Sequence, residues 1–367
     1  MIDTRRHILF LVPSLRGGGA ERVIVTLLRH LDRTKFRLAL AVVDTRGAVY
    51  QGDVPEDVEF VDLGFTRVRY ALPKIVCLIW QRRPDVVFST LGHLNLALAI
   101  VRPLLPNGVR YVARESSIVS EILRTSRMTS IWRWAYRHFY RRVDTVVCQS
   151  RCMRDDLVAS FALPAERTVI INNPVDVERI RHLAVEPLLT GLEQKNGGDG
   201  HALIHLVATG RLFHQKGFDL LIEALALCGN ARLRLTILGE GPLLGGLVRL
   251  AQDRGAAQQV RFVGFQKNPY PFFARADAFV LSSRFEGFPN VVLEALACGT
   301  PVIATPAPGG VREILEGVEG SVLTESVTAE GLAQAIRIMP CQTRPLPDVV
   351  GPYEVSKIVR RYEHEFS

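Results

Sequence analysis

The sequence lacks the features that mark secreted, membrane-spanning and disulfide-bonded proteins. Residues 1–6 are polar and lead directly into a predicted strand, which argues against a signal peptide, and the longest apolar runs are far shorter than a membrane span. The six cysteines include no C-x-x-C pair, and five of them lie in apolar helix or strand patterns, which favours buried free thiols in a reducing cytosol. We therefore expect a cytoplasmic chain, soluble or peripheral to a membrane. The cysteines are Cys77, Cys148, Cys152, Cys228, Cys298 and Cys341.

Two further absences narrow the choice of ligand. The glycine-rich turn at residues 17–19 does not complete the G-x-G-x-x-G of dinucleotide-binding folds, because Arg22 occupies the last position. No D-x-D triplet occurs, so a metal-bridged diphosphate is not predicted. We therefore assign no metal ligand and no cofactor.

Length and charge indicate two unlike domains. The 367 residues are 48% hydrophobic, which suffices for two packed cores. Residues 1–180 carry 27 Lys and Arg against 18 Asp and Glu, whereas the remainder carries 18 and 19. This excess suggests an anionic partner for the first domain, either lipid headgroups, a phosphorylated acceptor or nucleic acid, although a merely soluble basic surface would look the same. The absence of base-stacking motifs argues against nucleic acid.

Strands alternate with helices along the chain, which predicts an α/β fold of two doubly wound, Rossmann-like parallel sheets. We expect an N-terminal domain at 1–180, a linker region at 181–199, a C-terminal domain at 200–350, and a final amphipathic helix at 354–366 that could pack back on either domain. Ligands of such sheets bind beyond the carboxyl ends of the strands, so two domains facing across a cleft would enclose a site. Strands are predicted at 7–13, 36–44, 58–64, 84–90, 110–115, 144–150, 168–174, 202–210, 232–239, 260–264, 277–283 and 301–305.

The segment EGFPNVVLEALACGTPVIAT, from Glu286 to Thr305, combines two carboxylates with a helix start. Pro289 suits the first turn of a helix that contains Glu294, and Glu286 lies in the loop before it. Amides at such a helix start favour an anion such as a diphosphate, and carboxylates on a rigid turn suit sugar hydroxyls. An acidic helix cap beside a solvated glutamate is the plainer alternative. The candidate donor-site residues are Glu286, Gly287, Phe288, Pro289, Asn290, Val291 and Glu294.

Basic residues and glycines follow predicted strands of the second domain. Arg211 and Lys216, in TGRLFHQKG, come just after its first strand, where a guanidinium fork and an ammonium suit a diphosphate. Taken alone, they equally fit a pair of exposed basic residues. Gly239 ends the next strand in a tight turn that could border a nucleoside base.

Four residues at strand ends of the first domain are weaker candidates. Gly18 and Gly19 follow the first strand and would let backbone amides approach a phosphate or sugar. His93, in STLGHLN, could hydrogen-bond a sugar hydroxyl, although a helix-start histidine without a role is commoner. Arg114 ends the following strand beside Glu115, and such a pair is usually structural; we place Arg114 with the acceptor or membrane candidates.

The segment 126–143, SRMTSIWRWAYRHFYRRV, predicts a helix with a basic face. Arg133, Arg137 and Arg141 lie nearly opposite an apolar stripe made by Met128, Trp132, Ala135, Phe139 and Val143. The arginines could attract anionic lipid headgroups or the phosphates of a lipid-linked acceptor. Alternatively, the stripe packs on the sheet and the arginines are simply solvated.

Taken together, GGGAERV, RLFHQKG, EGFPNVVLEALACGTPVIAT and PAPGGVREIL resemble the motifs of retaining glycosyltransferase family 4, which has the two-domain GT-B fold. The resemblance covers nearly the whole chain and extends to bacterial enzymes that build lipid-linked glycans. By position, Arg211 and Lys216 resemble the family's diphosphate clamp, and His93 its active-site histidine. Glu286 resembles the acid that contacts the transferred sugar, and Glu294 the one that holds the nucleotide ribose.

The resemblance implies a nucleotide-sugar donor, most simply a UDP-sugar, held mainly by the C-terminal domain, and an acceptor held mainly by the N-terminal domain. We expect transfer of a hexose or N-acetylhexosamine to a glycan acceptor, lipid-linked, at the inner face of the cell membrane, with retention and without a metal. The nucleotide-sugar is then a substrate and not a cofactor. A nucleotide-sugar isomerase or hydrolase of the same architecture, or a non-catalytic membrane-binding module, is the alternative.

Overall fold

The computed structural model describes residues 4–124, 128–188, 202–339, 344–345 and 347–367. The chain forms two compact units: one runs to Pro174 and takes up Val355–Ser367, and the other is Val175–Glu354. Each unit has its own parallel sheet wrapped by helices, which confirms the predicted fold class.

The first unit contains a seven-stranded parallel sheet in the order β3-β2-β1-β4-β5-β6-β7. Its strands are β1 (Arg6–Ser14), β2 (Phe36–Asp44), β3 (Glu59–Asp62), β4 (Val86–Thr90), β5 (Arg110–Arg114), β6 (Thr145–Cys148) and β7 (Thr168–Ile170). Its helices are α1 (Gly19–His30), α2 (Val68–Arg82), α3 (Gly92–Val101), α4 (Val119–Arg124), α5 (Thr129–Phe139) and α6 (Arg151–Phe161), with 3₁₀ helices at Gln51–Asp53, Arg102–Leu104, Tyr140–Arg142 and Ala165–Arg167.

The centre of this sheet is formed by a continuous apolar run. Ile8 pairs with Leu38 of β2 on one side and with Val86 of β4 on the other, so β1 lies between two parallel neighbours. Residues 8–12 of β1 are fully buried because helices cover both faces of the sheet. This run explains why the strand was readable from the sequence.

The second unit contains a six-stranded parallel sheet in the order β10-β9-β8-β11-β12-β13. Its strands are β8 (Ile204–Thr209), β9 (Leu233–Leu238), β10 (Val260–Phe262), β11 (Ala278–Leu281), β12 (Val302–Ala304) and β13 (Val322–Leu323). Its helices are α7 (Val177–Ala184), α8 (Phe218–Cys228), α9 (Leu244–Asp253), α10 (Tyr270–Arg275), α11 (Asn290–Ala297), α12 (Val311–Leu315) and α13 (Ala329–Ile338), with 3₁₀ helices at His214–Lys216 and Pro347–Tyr353.

The predicted domain boundaries are wrong near residue 180. Helix α7, which the prediction divided between the first domain and the linker, belongs to the second unit. Its apolar face, including Ile180, packs in one core with Phe272 of α10 and Leu296 of α11. The remainder of the predicted linker, from residue 189 onward, lies outside the described residues.

The last helix, α14 (Val355–Phe366), packs on the first unit. Phe366 makes edge-on contacts with Phe10 of β1 and Phe88 of β4, with ring centroids 6.0 and 5.2 Å apart. Tyr362 also contacts Phe88, at 5.7 Å. The C-terminal helix therefore completes the core of the domain that begins the chain.

No helix in the described ranges is long and apolar enough to cross a membrane. The five cysteines within these ranges are free. Cys148 is buried, as predicted, whereas Cys77 is exposed on α2, and Cys341 lies outside the described residues.

Candidate active site

The predicted carboxylate Glu286 lies in the loop between β11 and α11, where it is 6% exposed. Its Oε1 accepts hydrogen bonds from Lys216 Nζ and from Ser283 Oγ, each at 2.6 Å. Its backbone amide donates to the carbonyl of Pro308 at 2.9 Å. The structure therefore brings together Glu286 and Lys216, which are 70 residues apart in the chain.

Lys216 is placed by the turn between β8 and α8. Gly217, which follows it, has a φ of 62°, and a Cβ there would lie 2.0 Å from the carbonyl oxygen of Ser282. Ser282 Oγ in turn donates to the carbonyl of Lys216 at 2.8 Å. Only glycine permits this close approach, so the turn rests directly on the loop that carries Glu286.

The loop before α12 packs on the same segment. Gly309 has a φ of 129°, and a Cβ there would lie 2.1 Å from the carbonyl oxygen of Glu286. Gly310 donates its amide to the carbonyl of Gly287 at 2.8 Å and lies against the ring of Phe288. Residues 286–288 are therefore enclosed by backbone on two sides.

Helix α11 begins beside this cluster. Pro289 caps it and Asn290 is its first residue, close to the predicted start. Glu294 lies one turn beyond Asn290 on the same side of the helix and is 4% exposed. Val291, also in the first turn, packs against the core. The predicted anion-binding helix start and its second carboxylate are thus both present.

The other two candidates of the second unit lie at neighbouring strand ends. Arg211 is exposed, and its Cζ lies 5.5 Å from the centroid of the Phe213 ring. Gly239 follows β9 and donates its amide to the carbonyl of Gly264 at 2.8 Å. Arg211, Lys216 and Gly239 therefore follow the adjacent strands β8 and β9, at the carboxyl edge of the sheet.

The glycine-rich turn of the first unit leads into α1. Gly18 caps α1, and its amide donates to a carboxylate oxygen of Glu21, whose other oxygen accepts from Ser14 Oγ at 2.8 Å. Glu21 therefore satisfies the Gly18 amide in this structure, and contact of that amide with a phosphate or sugar stays a prediction. Gly19 is the first residue of α1.

His93 lies in the first turn of α3, and its side chain is exposed. The preceding Leu91 has a φ of 75°, an uncommon conformation for a leucine that sets the turn between β4 and the helix. Partial desolvation by surrounding atoms lowers the pKa of His93, so a neutral imidazole is favoured near pH 7.

A buried polar network lies beneath this turn. Asn95 donates to Glu115 Oε1 at 3.1 Å and to the carbonyl of Arg114 at 2.9 Å, and Tyr140 also donates to Glu115. Burial raises the pKa of Glu115 to about 7. Ser89 Oγ donates to Asn95 at 2.6 Å, so the first turn of α3 is tied to both β4 and β5.

The assignment of Arg114 to an acceptor or membrane surface is wrong. The side chain is fully buried, and its guanidinium donates to Asn173 Oδ1 at 2.5 Å and to Thr90 Oγ1 at 3.2 Å. Its side chain therefore links the ends of β4 and β5 to the segment that follows β7. Its role is structural.

The three arginines of the predicted basic face, Arg133 and Arg137 on α5 and Arg141 in the following 3₁₀ helix, each contact the end of α6. Arg137 donates to the carbonyl of Ser160 at 3.1 Å and Arg141 to that of Ala162 at 3.3 Å, so both bind the carbonyl end of α6. Arg133 lies with its Cζ 5.5 Å from the Phe161 ring centroid. These contacts hold α5 against α6.

The apolar stripe predicted on this helix is also only partly correct. Ala135 and Val143 are buried, whereas Met128 and Trp132 are exposed. Large apolar side chains that the prediction did not single out are exposed nearby. The exposed large apolar side chains of this region are Ile122 on α4, Met128, and Ile131, Trp132 and Trp134 on α5.

Three residues of the Lys216–Glu286 cluster were missed by sequence reasoning: Ser283, Arg284 and Asp219. Arg284 donates to both carboxylate oxygens of Asp219, at 2.8 and 2.6 Å. All three adjoin the two recognised motifs, and this adjacency was the available signal. Their pairing could not be read from the sequence, because it joins segments 65 residues apart.

Known proteins match both units. A model described as "Glycosyltransferase Family 4" matches residues 17–179, and one described as "Glycosyl transferases group 1" matches residues 204–339. The N-acetylgalactosamine-N,N'-diacetylbacillosaminyl-diphospho-undecaprenol 4-alpha-N-acetylgalactosaminyltransferase of Campylobacter jejuni is 29% identical, over 89% of this chain and 88% of its own. The lipopolysaccharide core biosynthesis glycosyltransferase LpsE of Rhizobium meliloti is 28% identical, over 88% of this chain and 85% of its own.

Solved structures show the same fold. HepE of Anabaena, in complex with UDP-glucose, superposes with a TM-score of 0.78 over 98% of both chains at 21% identity. WaaG, a glycosyltransferase involved in lipopolysaccharide biosynthesis, gives a TM-score of 0.70 over 97% of this chain and 95% of its own, at 16% identity. The two family models together cover most of the chain, and the full-length likeness accounts for both sheets. The chain therefore belongs to glycosyltransferase family 4, has the GT-B fold and is a glycosyltransferase of glycan biosynthesis.

Proposed function

We propose that this protein transfers a hexose or N-acetylhexosamine from a UDP-sugar to a lipid-linked glycan acceptor, with retention of anomeric configuration and without a metal ion. The observation that carries the proposal is the hydrogen-bonded pair of Lys216 and Glu286 beside the start of α11. We assign donor binding to the second unit and acceptor binding to the first.

The Lys216–Glu286 cluster suits the two halves of a nucleotide-sugar. Lys216 supplies an ammonium and the first turn of α11 supplies amides, and both favour a diphosphate. The two hydrogen bonds described for the Glu286 carboxylate both end on Oε1, so we assign Oε2 to a hydroxyl of the transferred sugar. Buried Glu294, one turn further along α11, is assigned to the ribose.

The same groups suit a reaction in which the leaving diphosphate acts as the base. The acceptor hydroxyl attacks on the face that the diphosphate leaves, and the departing phosphate oxygen takes its proton. The charge of the diphosphate grows as the glycosidic bond breaks. Lys216, Arg211 and the amides of α11 stabilise that charge, which is the term that preorganised donors supply best.

The choice of donor and acceptor draws on similar proteins. HepE, the structural neighbour from Anabaena, was solved with UDP and with UDP-glucose. The C. jejuni relative is named for transfer to a sugar carried by diphospho-undecaprenol. A UDP-sugar and a polyprenyl diphosphate-linked acceptor are therefore the first compounds to test.

Lys216→Ala tests the diphosphate clamp. We expect turnover to fall on the order of 10²-fold, as for loss of one preorganised donor to a developing charge. Turnover would be measured with UDP-, GDP- and ADP-sugars in the presence of a chelator, and the product anomer assigned by NMR. Arg249→Ala, on the exposed face of α9, is the matched control.

Wild-type turnover in Lys216→Ala would contradict the clamp. Loss of activity in chelator would contradict the metal-free proposal, and an inverted product would contradict retention. Consumption of donor at the full rate without acceptor would instead indicate a nucleotide-sugar hydrolase or isomerase.

We further propose that the first unit binds an anionic membrane at the inner face of the cell membrane. Arg137 and Arg141 of the predicted basic face bind carbonyls at the end of α6, and both side chains remain exposed. Two tryptophans of α5, Trp132 and Trp134, are exposed, and such side chains favour the membrane interface. The basic excess of the first 180 residues supplies attraction to anionic headgroups.

Flotation with vesicles tests this surface. The double variant Trp132→Ser, Trp134→Ser should lose binding to vesicles that contain anionic lipid. Trp80→Ser is the matched control, because Trp80 is similarly exposed but lies on α2. Equal flotation of the double variant and wild type, or equal binding to neutral and anionic vesicles, would contradict the proposal.

A further inference from the structure

Arg284 joins the loop that carries Glu286 to the turn that carries Lys216. Its guanidinium makes two parallel hydrogen bonds to Asp219, Nη1 to Oδ1 at 2.8 Å and Nη2 to Oδ2 at 2.6 Å. Nη1 also donates to the carbonyl of His214 at 2.8 Å. A bidentate fork fixes orientation as well as distance, so Arg284 constrains both ends of the turn that contains Lys216.

Main-chain contacts align the same two segments. The amide of Arg284 donates to the carbonyl of Gln215 at 2.7 Å, and the Gln215 side chain donates to the carbonyl of Phe285 at 3.0 Å. Lys216 therefore follows two residues whose carbonyls are both bound by Arg284. The Lys216 side chain is flexible, but the backbone from which it extends is held in place by these hydrogen bonds.

We propose that Arg284 is a positioning residue of the transfer reaction: through Asp219 and the His214 carbonyl, it fixes the turn that holds Lys216 against Glu286. The inference rests on the proposed function, which assigns Lys216 to the donor diphosphate. If the turn were mobile, the Lys216 ammonium would contact the leaving diphosphate in only a fraction of the protein molecules. Small misplacements of such a group reduce reaction rates strongly.

The Arg284–Asp219 pair is partly buried. The Arg284 side chain is 22% exposed and that of Asp219 40% exposed. Although partial burial opposes ionisation of Asp219, the hydrogen bonds and charge of Arg284 hold its pKa below its ordinary value. Because the pair is only partly exposed, loss of Arg284 should also lower stability, so the turnover of each variant is compared with its thermal unfolding.

Arg284→Ala should lower turnover about 10- to 100-fold while changing UDP affinity much less. Arg284→Lys keeps the charge but loses the fork, so it should recover only part of the activity. The matched control is Arg254→Ala, which removes a 2.7 Å ion pair to Glu223. Glu223 lies on α8, as Asp219 does, but further from the turn that carries Lys216. Asp219→Asn is the second variant if Arg284→Ala does not fold, and its turnover should fall in the same direction.

The combined variant Arg284→Ala, Lys216→Ala shows whether Arg284 affects turnover by positioning Lys216 or independently of it. If Arg284 acts through Lys216, the combined variant loses no more turnover than Lys216→Ala alone. A further multiplicative loss overturns the inference, and so does full turnover in Arg284→Ala when Lys216→Ala is impaired. Full turnover in Lys216→Ala overturns the proposed function and the inference with it.

Discussion

Single residues of this protein acquire their roles from neighbours distant in the chain. Glu286 was recognisable from its motif, but its partner Lys216 lies 70 residues earlier. Arg114 shows the opposite outcome: its position at a strand end suggested a ligand, whereas the structure buries it against Thr90 and Asn173. The residue type indicated the chemistry available, and only tertiary contacts decided whether a ligand could use it.

Gly309→Ala should destabilise the second unit and lower turnover. The residue has a φ of 129°, and a Cβ would lie 2.1 Å from the carbonyl oxygen of Glu286, so the alanine must displace the loop that carries this carboxylate. Urea unfolding and the transfer assay would measure both effects. Gly246→Ala is the control: it has no atom within 4 Å of the added Cβ, lies in helix α9 and should gain about 0.5–1 kcal/mol.

Glu115→Gln should change the pH dependence of stability. Because burial raises the pKa of Glu115 to about 7 from 4.5, the folded state binds more protons than the unfolded state between these values. Its contribution to stability therefore falls as pH rises through this window and is level above it, by on the order of 3 kcal/mol.

Urea unfolding of wild type and Glu115→Gln at pH 5, 6, 7 and 8 would test this dependence. The stability of wild type relative to the variant should decline with rising pH. Glu56→Gln, at an exposed position, serves as control. A difference between wild type and Glu115→Gln that does not vary with pH would contradict the expected titration.

At the scale of elements, helices and strands were predicted better than their packing. Every strand predicted in either half is present, and of the strands in the part of the chain that the structure describes, only the two-residue β13 was missed. The predicted helix at 126–143 is shorter, with α5 ending at Phe139 before a 3₁₀ turn. Its arginines bind the end of α6 and its apolar side chains are partly exposed, since helix packing depends on neighbours that periodicity does not reveal.

Phe366→Ala tests the docking of α14. The ring is fully buried, and its centroid lies 5.2 Å from that of Phe88. Truncation should cost about 3–5 kcal/mol of stability in the first unit, from lost burial and the cavity left behind. Chemical denaturation would measure it, with Lys357→Ala on the exposed side of the same helix as control. A loss no larger than that of Lys357→Ala would show that α14 is not part of the core.

At the scale of the whole molecule, the chain contains two units with separate cores. The first is discontinuous, since it combines residues up to Pro174 with Val355–Ser367, and the second is Val175–Glu354. The proposed donor site lies in the second unit, where RLFHQKG and EGFPNVVLEALACGTPVIAT meet through Lys216 and Glu286. Stability and donor binding should therefore be separable by unit.

Calorimetry should resolve this separation. We expect unfolding in more than one step, with Phe366→Ala lowering the transition of the first unit. UDP should raise that of the second, by about 2.7 kcal/mol at a hundredfold excess over its dissociation constant. If the protein instead unfolds in one transition, which UDP raises and Phe366→Ala lowers as a whole, the two units do not unfold independently.

The sequence by itself determined the α/β fold, nearly all strands and the segments that meet in the Lys216–Glu286 cluster. These are local properties: buried parallel strands read as continuous apolar runs, and glycine and proline mark the turns between them. The tertiary structure decided which groups meet. Lys216 and Glu286 pair, Arg284 binds Asp219, Glu21 satisfies Gly18, and α7 joins the second unit, because each contact depends on a crossing of distant segments that no local pattern encodes.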